Sequence, residues 1–175
     1  EAGAPIERVY LRPENARGYG EAIKAILNAD LIVIGPGSLF TSILPNLLVN
    51  DIVQAVRSSP ALKIYVCNVA TQPGETDGYD VGDHIRAIVR HVGPDLFDYV
   101  LANDDLSRPL LPGGQSELVQ PGYDVEYEDK VVLCPVVDKE RIWRHDPAKL
   151  AQFIMSIYQD HKECKSEGSD QDERT

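Results

Sequence analysis

Leu31-Ile32-Val33-Ile34-Gly35-Pro36-Gly37-Ser38 decides the fold. Four consecutive apolar residues without polar alternation describe a strand buried on both faces, as in a parallel sheet. A glycine-rich turn follows. Beyond it an amphipathic helix is predicted over residues 45–57, with Leu48, Ile52, Val53 and Val56 as its apolar stripe. Pro45 suits a first helical turn, and Ser58-Ser59-Pro60 stops it.

The same alternation extends in both directions. Residues 6–11 read as a strand, and residues 19–27 as a helix with Ala22, Ile23, Ile26 and Leu27 on one face. Downstream, strands are predicted over 63–69, 97–102 and 131–137, and helices over 81–92 and 147–158. Asp146 is a good N-cap for the last helix, with Pro147 in its first turn. Residues 106–122 carry Pro109, Pro112, Gly113, Gly114, Pro121 and Gly122 and read as a loop or ordered excursion.

Short apolar strands alternating with amphipathic helices are βαβ units, which wind right-handed into a parallel sheet covered on both faces. The expected class is α/β: a Rossmann-like, three-layer parallel-sheet sandwich. One domain is expected over residues 1–160, with 161–175 a disordered polar tail. The chain opens at Glu1 without Met or a signal-like segment. That fits a complete processed domain and equally a piece lacking an N-terminal portion.

Composition excludes several classes. Hydrophobic residues make up 43% of the 175, enough for a sizeable core. With 17 basic against 28 acidic residues the net charge is −11, which argues against a nucleic-acid partner. Residues 75–129 hold 13 Asp or Glu against Arg86, Arg90 and Arg108, either a solvated face or in part a divalent-metal surface. No apolar run approaches the roughly 18–20 residues of a membrane helix. Cys67, Cys134 and Cys164 lie far apart with no CxxC pair. No disulfide framework or structural zinc is therefore expected, and a reducing cytoplasm is the default location.

Chemistry in such a sheet belongs outside the carboxyl ends of the strands. Three polar loops fall there: residues 35–42, 68–76 and 103–105. In the first, Gly35, Pro36 and Gly37 turn the chain, and the hydroxyls of Ser38, Thr41 and Ser42 could hold phosphate or carboxylate oxygens. It is neither a dinucleotide fingerprint nor a P-loop; the plain alternative is a tight turn with a capping Ser. The second packs Asn68, Thr71, Gln72, Gly74, Glu75 and Thr76 into nine positions, long for a strand-to-helix connection. Glu75 could act as a base, bind a ribose hydroxyl or cap the next helix.

Arg144, in Trp143-Arg144-His145-Asp146, is one of the few basic residues placed to meet an anion, although this cluster could also be structural. His84 and His91 stand seven apart without metal-binding spacing and read as packing or surface residues; Cys67 reads as core. No Gly-x-Ser-x-Gly elbow exists to support a Ser-His-Asp triad.

Residues 34–48 (Ile-Gly-Pro-Gly-Ser-Leu-Phe-Thr-Ser-Ile-Leu-Pro-Asn-Leu-Leu) and 66–77 (Val-Cys-Asn-Val-Ala-Thr-Gln-Pro-Gly-Glu-Thr-Asp) resemble the gluconeogenesis factor (YvcK-like) branch of the CofD-like superfamily. The resemblance covers most of the chain and places it in the C-terminal half of a longer cytoplasmic protein. It implies a regulator of cell shape and envelope synthesis on gluconeogenic carbon sources, binding a UDP-sugar such as UDP-N-acetylglucosamine without turnover. Matching motif positions then put Gly35, Pro36, Gly37, Ser38, Thr41, Ser42, Asn68, Thr71, Gln72, Gly74, Glu75, Thr76 and Arg144 at the ligand, with no catalytic residue and no metal ligand. The family's opening glycine-rich loop and acidic, metal-associated segment have no counterpart here. The sister branch, 2-phospho-L-lactate transferases of deazaflavin coenzyme synthesis, implies a nucleoside diphosphate donor and Mg²⁺ instead. A homo-oligomer fits either branch.

Overall fold

The computed structural model describes residues 6–107 and 116–172. Four parallel strands, β1 (Leu31–Ile34), β2 (Leu62–Val66), β3 (Tyr99–Asn103) and β4 (Val131–Cys134), form one sheet in the order β1-β2-β3-β4. Leu31 lies opposite Leu62, Ile64 opposite Tyr99 and Val100 opposite Val131. The continuous apolar runs follow from this arrangement, because each inner strand is covered above and below. Successive side chains along β2 and β3 enter two different cores. Tyr65, Val100 and Ala102 join one, while Ile64, Val66 and Leu101 join the other.

The first core is closed by α1 (Gly20–Leu27), α2 (Leu44–Leu47), α3 (Asn50–Ser58) and α4 (Val81–Val92). The second is closed by α5 (Pro147–Asp172), through Leu150 and Ile157. These are the three layers of a Rossmann-like α/β sandwich. Right-handed crossovers between successive parallel strands put α3 and α4 on one face. The helix that covers the other face, α5, comes only after β4.

α4 matches its predicted span because both ends are specified. Asp80 and Asp83 exchange hydrogen bonds between side chains and backbone as a capping box, and Gly93 stops the helix at φ +84°. Asp146 caps α5 as expected, its Oδ1 accepting from the Ala148 and Lys149 amides.

Three expectations change. Residues 6–11 form no strand: the Val9 amide donates to His91 Nε2 at 3.1 Å, so the segment is pinned to α4 rather than to a ladder. The helix expected over 45–57 begins earlier, as a π-helical turn at Leu39–Ile43, and bends by 75° between Leu39–Leu47 and Asn50–Ser58. The bend lets each half bury its own stripe: Leu39, Phe40 and Leu44 before it, Val53 and Val56 after it. Finally, α5 runs on to Asp172, through most of the stretch expected as a disordered polar tail. Its later residues continue the helix as a polar extension, with Lys162, Glu163, Lys165 and Glu167 as the good helix formers among them.

No single helix among the described residues is long and apolar enough to cross a membrane. Cys67 and Cys134 are buried free thiols, and burial pushes Cys67 up to about 12, as befits a core residue rather than a nucleophile.

His84 and His91 are packing residues. His84 is fully buried, its Nδ1 donates to the Asp80 carbonyl at 2.7 Å, and Tyr79 packs edge-on against it. Burial lowers its pKa, against the opposing pull of Asp80 and Asp83. The unfolded chain takes up a proton near the ordinary value of 6.5, while the folded protein resists it. The stability this residue contributes is therefore present above that value and lost as pH falls through the lowered folded-state pKa. Urea unfolding between pH 7.5 and 5 is expected to show declining stability, with a shallower slope in His84→Gln. An unchanged slope in the variant would locate the dependence elsewhere.

Candidate functional site

The loops leaving β1 and β2 meet. Gly35 takes φ +96°, and a Cβ there would stand 3.1 Å from the Val66 carbonyl oxygen, so only glycine lets the first loop cross so close to β2. The loop then delivers Ser38 to the second loop, where Gln72 Nε2 donates to Ser38 Oγ at 2.7 Å. Asn68 Nδ2 reaches Gln72 Oε1 at 3.4 Å, and Thr41 Oγ1 reaches Glu75 Oε1 at the same distance. The Gln72 amide donates to Thr76 Oγ1 at 2.9 Å, closing the turn that presents these side chains.

A third wall comes from the segment between β4 and α5. Val137 pairs antiparallel with His145, and His145 Nε2 donates to the Cys67 carbonyl at 3.1 Å. Trp143, Arg144 and His145 are thereby held against the end of β2. A fourth element is residues 116–119, where Leu118 pairs antiparallel with Ala70 and the Glu117 amide donates to Thr71 Oγ1 at 2.8 Å.

Together these segments enclose a cleft of about 760 Å³ at the carboxyl edge of the sheet. Of the residues expected at a ligand, Pro36, Gly37, Ser38, Asn68, Thr71, Gln72, Glu75 and Arg144 line it. Gly35 shapes it from behind. Thr41 touches it only through Glu75, and Ser42 faces a separate, apolar hollow beside β1. Gly74 and Thr76 are turn residues: Gly74 has φ +78°, and the Thr76 hydroxyl is buried against the Gln72 amide. The third expected loop, at 103–105, does not line the cleft; Asn103 Nδ2 turns to the Asp105 carbonyl at 3.0 Å.

Trp143, His145 and Ser116 line the cleft without having been singled out as ligand residues. The available signal for Trp143 was its being the only Trp of the chain, directly beside Arg144. Its ring is 51% exposed and offers an apolar face at the rim. Burial lowers the His145 pKa against the opposing hydrogen bond to Cys67, so the imidazole stays neutral near pH 7.

The charge pattern is sparse. Glu75 is the only carboxylate and Arg144 the only Arg or Lys among the described residues lining the cleft. The Arg144 side chain makes no ion pair with any described residue, whereas Arg86 is held by Asp80, Asp83 and Asp124. Glu75 Oε2 is buried without a hydrogen-bond partner among the described residues.

Fold and cleft define a Rossmann-like α/β protein with a polar binding crevice at the carboxyl edge of a parallel sheet. Residues 1–140 match the family described as 2-phospho-L-lactate transferase CofD, and the chain belongs to that family. The gluconeogenesis factor of Bacillus subtilis is 41% identical over 164 residues, 90% of this chain and 52% of the relative. That of Halalkalibacterium halodurans is 39% identical over 162 residues, 89% and 50% respectively. The crystal structure of a UPF0052 family member from Bacillus halodurans superposes with a TM-score of 0.77 at 38% identity, covering 88% of this chain and 51% of that chain. The chain thus spans about half the length of these relatives.

Proposed function

We propose that this chain supplies the nucleotide-sugar crevice of a cytoplasmic regulatory protein. Its ligand is of the UDP-N-acetylglucosamine type, and its role is to adjust cell shape and envelope synthesis during gluconeogenic growth, without turnover. The observation that carries this reading is the Arg144 guanidinium, without an ion-pair partner among the described residues, on the wall of a cleft built by two cross-linked polar loops. In a chain of net charge −11, a guanidinium that faces hydroxyls and amides and pairs with no described carboxylate suits a diphosphate. Trp143 suits the flat face of a base or sugar. The volume falls within the roughly 300–1,000 Å³ typical of small-molecule pockets. The gluconeogenesis factor name of the relatives supports the regulatory role.

Calorimetric titration of the intact protein with UDP-N-acetylglucosamine, UDP and GDP tests the reading. Saturable binding of the UDP-sugar is expected; a folded protein that binds none of the three ends it.

The family description favours a second reading, transfer of phospholactate from a nucleoside diphosphate donor to a deazaflavin alcohol. That reaction calls for Mg²⁺. The described residues gather no group of three or more His, Cys, Asp or Glu, so Glu75, the one carboxylate among the described residues lining the cleft, would hold Mg²⁺ only jointly with the donor's phosphates. Phospholactyl deazaflavin formation by the intact protein would establish this reading in place of the first.

A further inference from the structure

A histidine takes up a proton readily only where one ring nitrogen is open and the bond made by the other survives the change. His91 fails this condition. Its Nδ1 donates to the Ala87 carbonyl at 2.7 Å, and its Nε2 is occupied by the Val9 amide at 3.1 Å. His84 fails it too, because its Nε2 is sealed from water without a partner. His145 meets it. Its Nε2 stands 3.1 Å from the Cys67 carbonyl, and a carbonyl only accepts, so in the neutral ring this nitrogen carries the hydrogen. Nδ1 then holds the lone pair; it takes no hydrogen bond from any described residue and is not closed off from water. Protonation there makes both nitrogens donors and leaves the bond to Cys67 in place.

His145 lines the cleft beside Arg144. Among the described lining residues the formal charges are those of Glu75 and Arg144, which cancel. The diphosphate of a nucleotide-sugar would therefore enter a cleft with no net positive charge. A second cation on the wall answers this, and the open imidazole nitrogen can supply it. The other charged groups of the packed segments are engaged or lie aside. Asp146 Oδ1 accepts from the Ala148 and Lys149 amides, and Asp138 Oδ1 from the Glu140 and Arg141 amides. Lys149 Nζ reaches the Val137 carbonyl at 3.4 Å. Residues 35–42 contribute no titratable side chain, Glu117 is exposed outside the lining, and burial keeps the Cys67 thiol protonated.

We propose that His145 is a second anion contact of the cleft: as a diphosphate binds, Nδ1 takes up a proton from solvent and donates it in a hydrogen bond to a phosphate oxygen. The proposal rests on the reading of the cleft as a nucleotide-sugar site, and adds a pH dependence to it. Burial holds the free ring neutral near pH 7, and the charge of the phosphates opposes that effect. A ligand that raises the pKa of its contact binds more tightly as pH falls, by at most about tenfold per pH unit for one proton.

The intact protein is titrated by calorimetry with UDP-N-acetylglucosamine at pH 6 and pH 8, in two buffers of unlike ionisation enthalpy. The diphosphate of this ligand is esterified at both ends and keeps its charge over that range, whereas a terminal phosphate titrates near roughly 6 and would add protons of its own. The wild type is expected to bind about fivefold or more tightly at pH 6 than at pH 8, with net proton uptake. His145→Gln keeps an amide N–H for the Cys67 carbonyl but cannot titrate. It is expected to lose both the pH dependence and the uptake, with affinity at pH 8 within about twofold of the wild type. Should this variant not fold, NMR of the His145 ring in the wild type carries the test, and its titration is expected to move to higher pH when the nucleotide-sugar is added. Equal affinity at both pH values without uptake, or a pH dependence that persists in His145→Gln, overturns the role of His145 and leaves the cleft reading intact. A folded wild type that binds the UDP-sugar at neither pH removes both.

Discussion

Replacing Arg144 with Ala is expected to weaken binding of UDP-N-acetylglucosamine more than tenfold, a loss of about 1.4 kcal/mol or more. The magnitude follows from what the side chain lacks in the protein. An arginine already paired with carboxylates gives up that pairing when it turns to a ligand, so its net contribution is small. Arg144 has no such pairing among the described residues, and among those residues no other Arg or Lys lines the cleft to take its place. Arg144→Lys should recover part of the loss, because an ammonium supplies charge but not the two-pronged geometry a phosphate accepts. Binding should also weaken with added salt in the wild type and less so in the Ala variant. Calorimetry at two ionic strengths checks all three; an Ala variant with wild-type affinity would remove the anion from the account.

The second large effect concerns stability. Ile85→Ala is expected to cost about 3–4 kcal/mol, within the range for emptying a well-packed core site. Ile85 is fully buried on the inner side of α4, in the cluster that includes Phe40, Tyr65 and Ile88. Helices and sheet enclose it together, so the surroundings have little room to collapse into the space left. Met155→Ala on α5, where the side chain is 45% exposed, should change stability by no more than roughly 0.5 kcal/mol. Urea titration should show the midpoint falling for Ile85→Ala at unchanged slope. A loss below about 1 kcal/mol would mean that this face is less tightly packed than described.

The sheet was legible because its signal is local. Residues 31–34 and 64–67 are unbroken apolar runs, closed by Gly35 and Asn68, and such a run admits few other readings. α4 was legible to the residue because its cap, stripe and stop are all written within 14 positions. What escaped was what depends on partners far along the chain. Residues 6–11 are strand-like in composition, yet an imidazole 82 residues away takes the Val9 amide, and nothing in the segment announces that. Residues 116–119 lie in a proline- and glycine-rich excursion, so their pairing with Ala70 and Thr71 left no periodic trace. The site was half visible. Placement after successive strands brought out the polar loops, but the Ser38–Gln72 bond spans 34 positions, and spacing alone could not choose it over Ser42 or Thr76. Trp143 was passed over because the cluster around it also reads as the entry to a helix.

That entry has a mechanical side. Residues 143–145 form a wall of the crevice, and two positions later the same backbone starts a helix of 26 residues. His145 is tied to the end of β2, and the Asp146 amide to the Val136 carbonyl, just before the rod begins. Leu150 and Ile157 then bury the rod against the sheet, so the crevice wall and the long helix share one rigid anchorage.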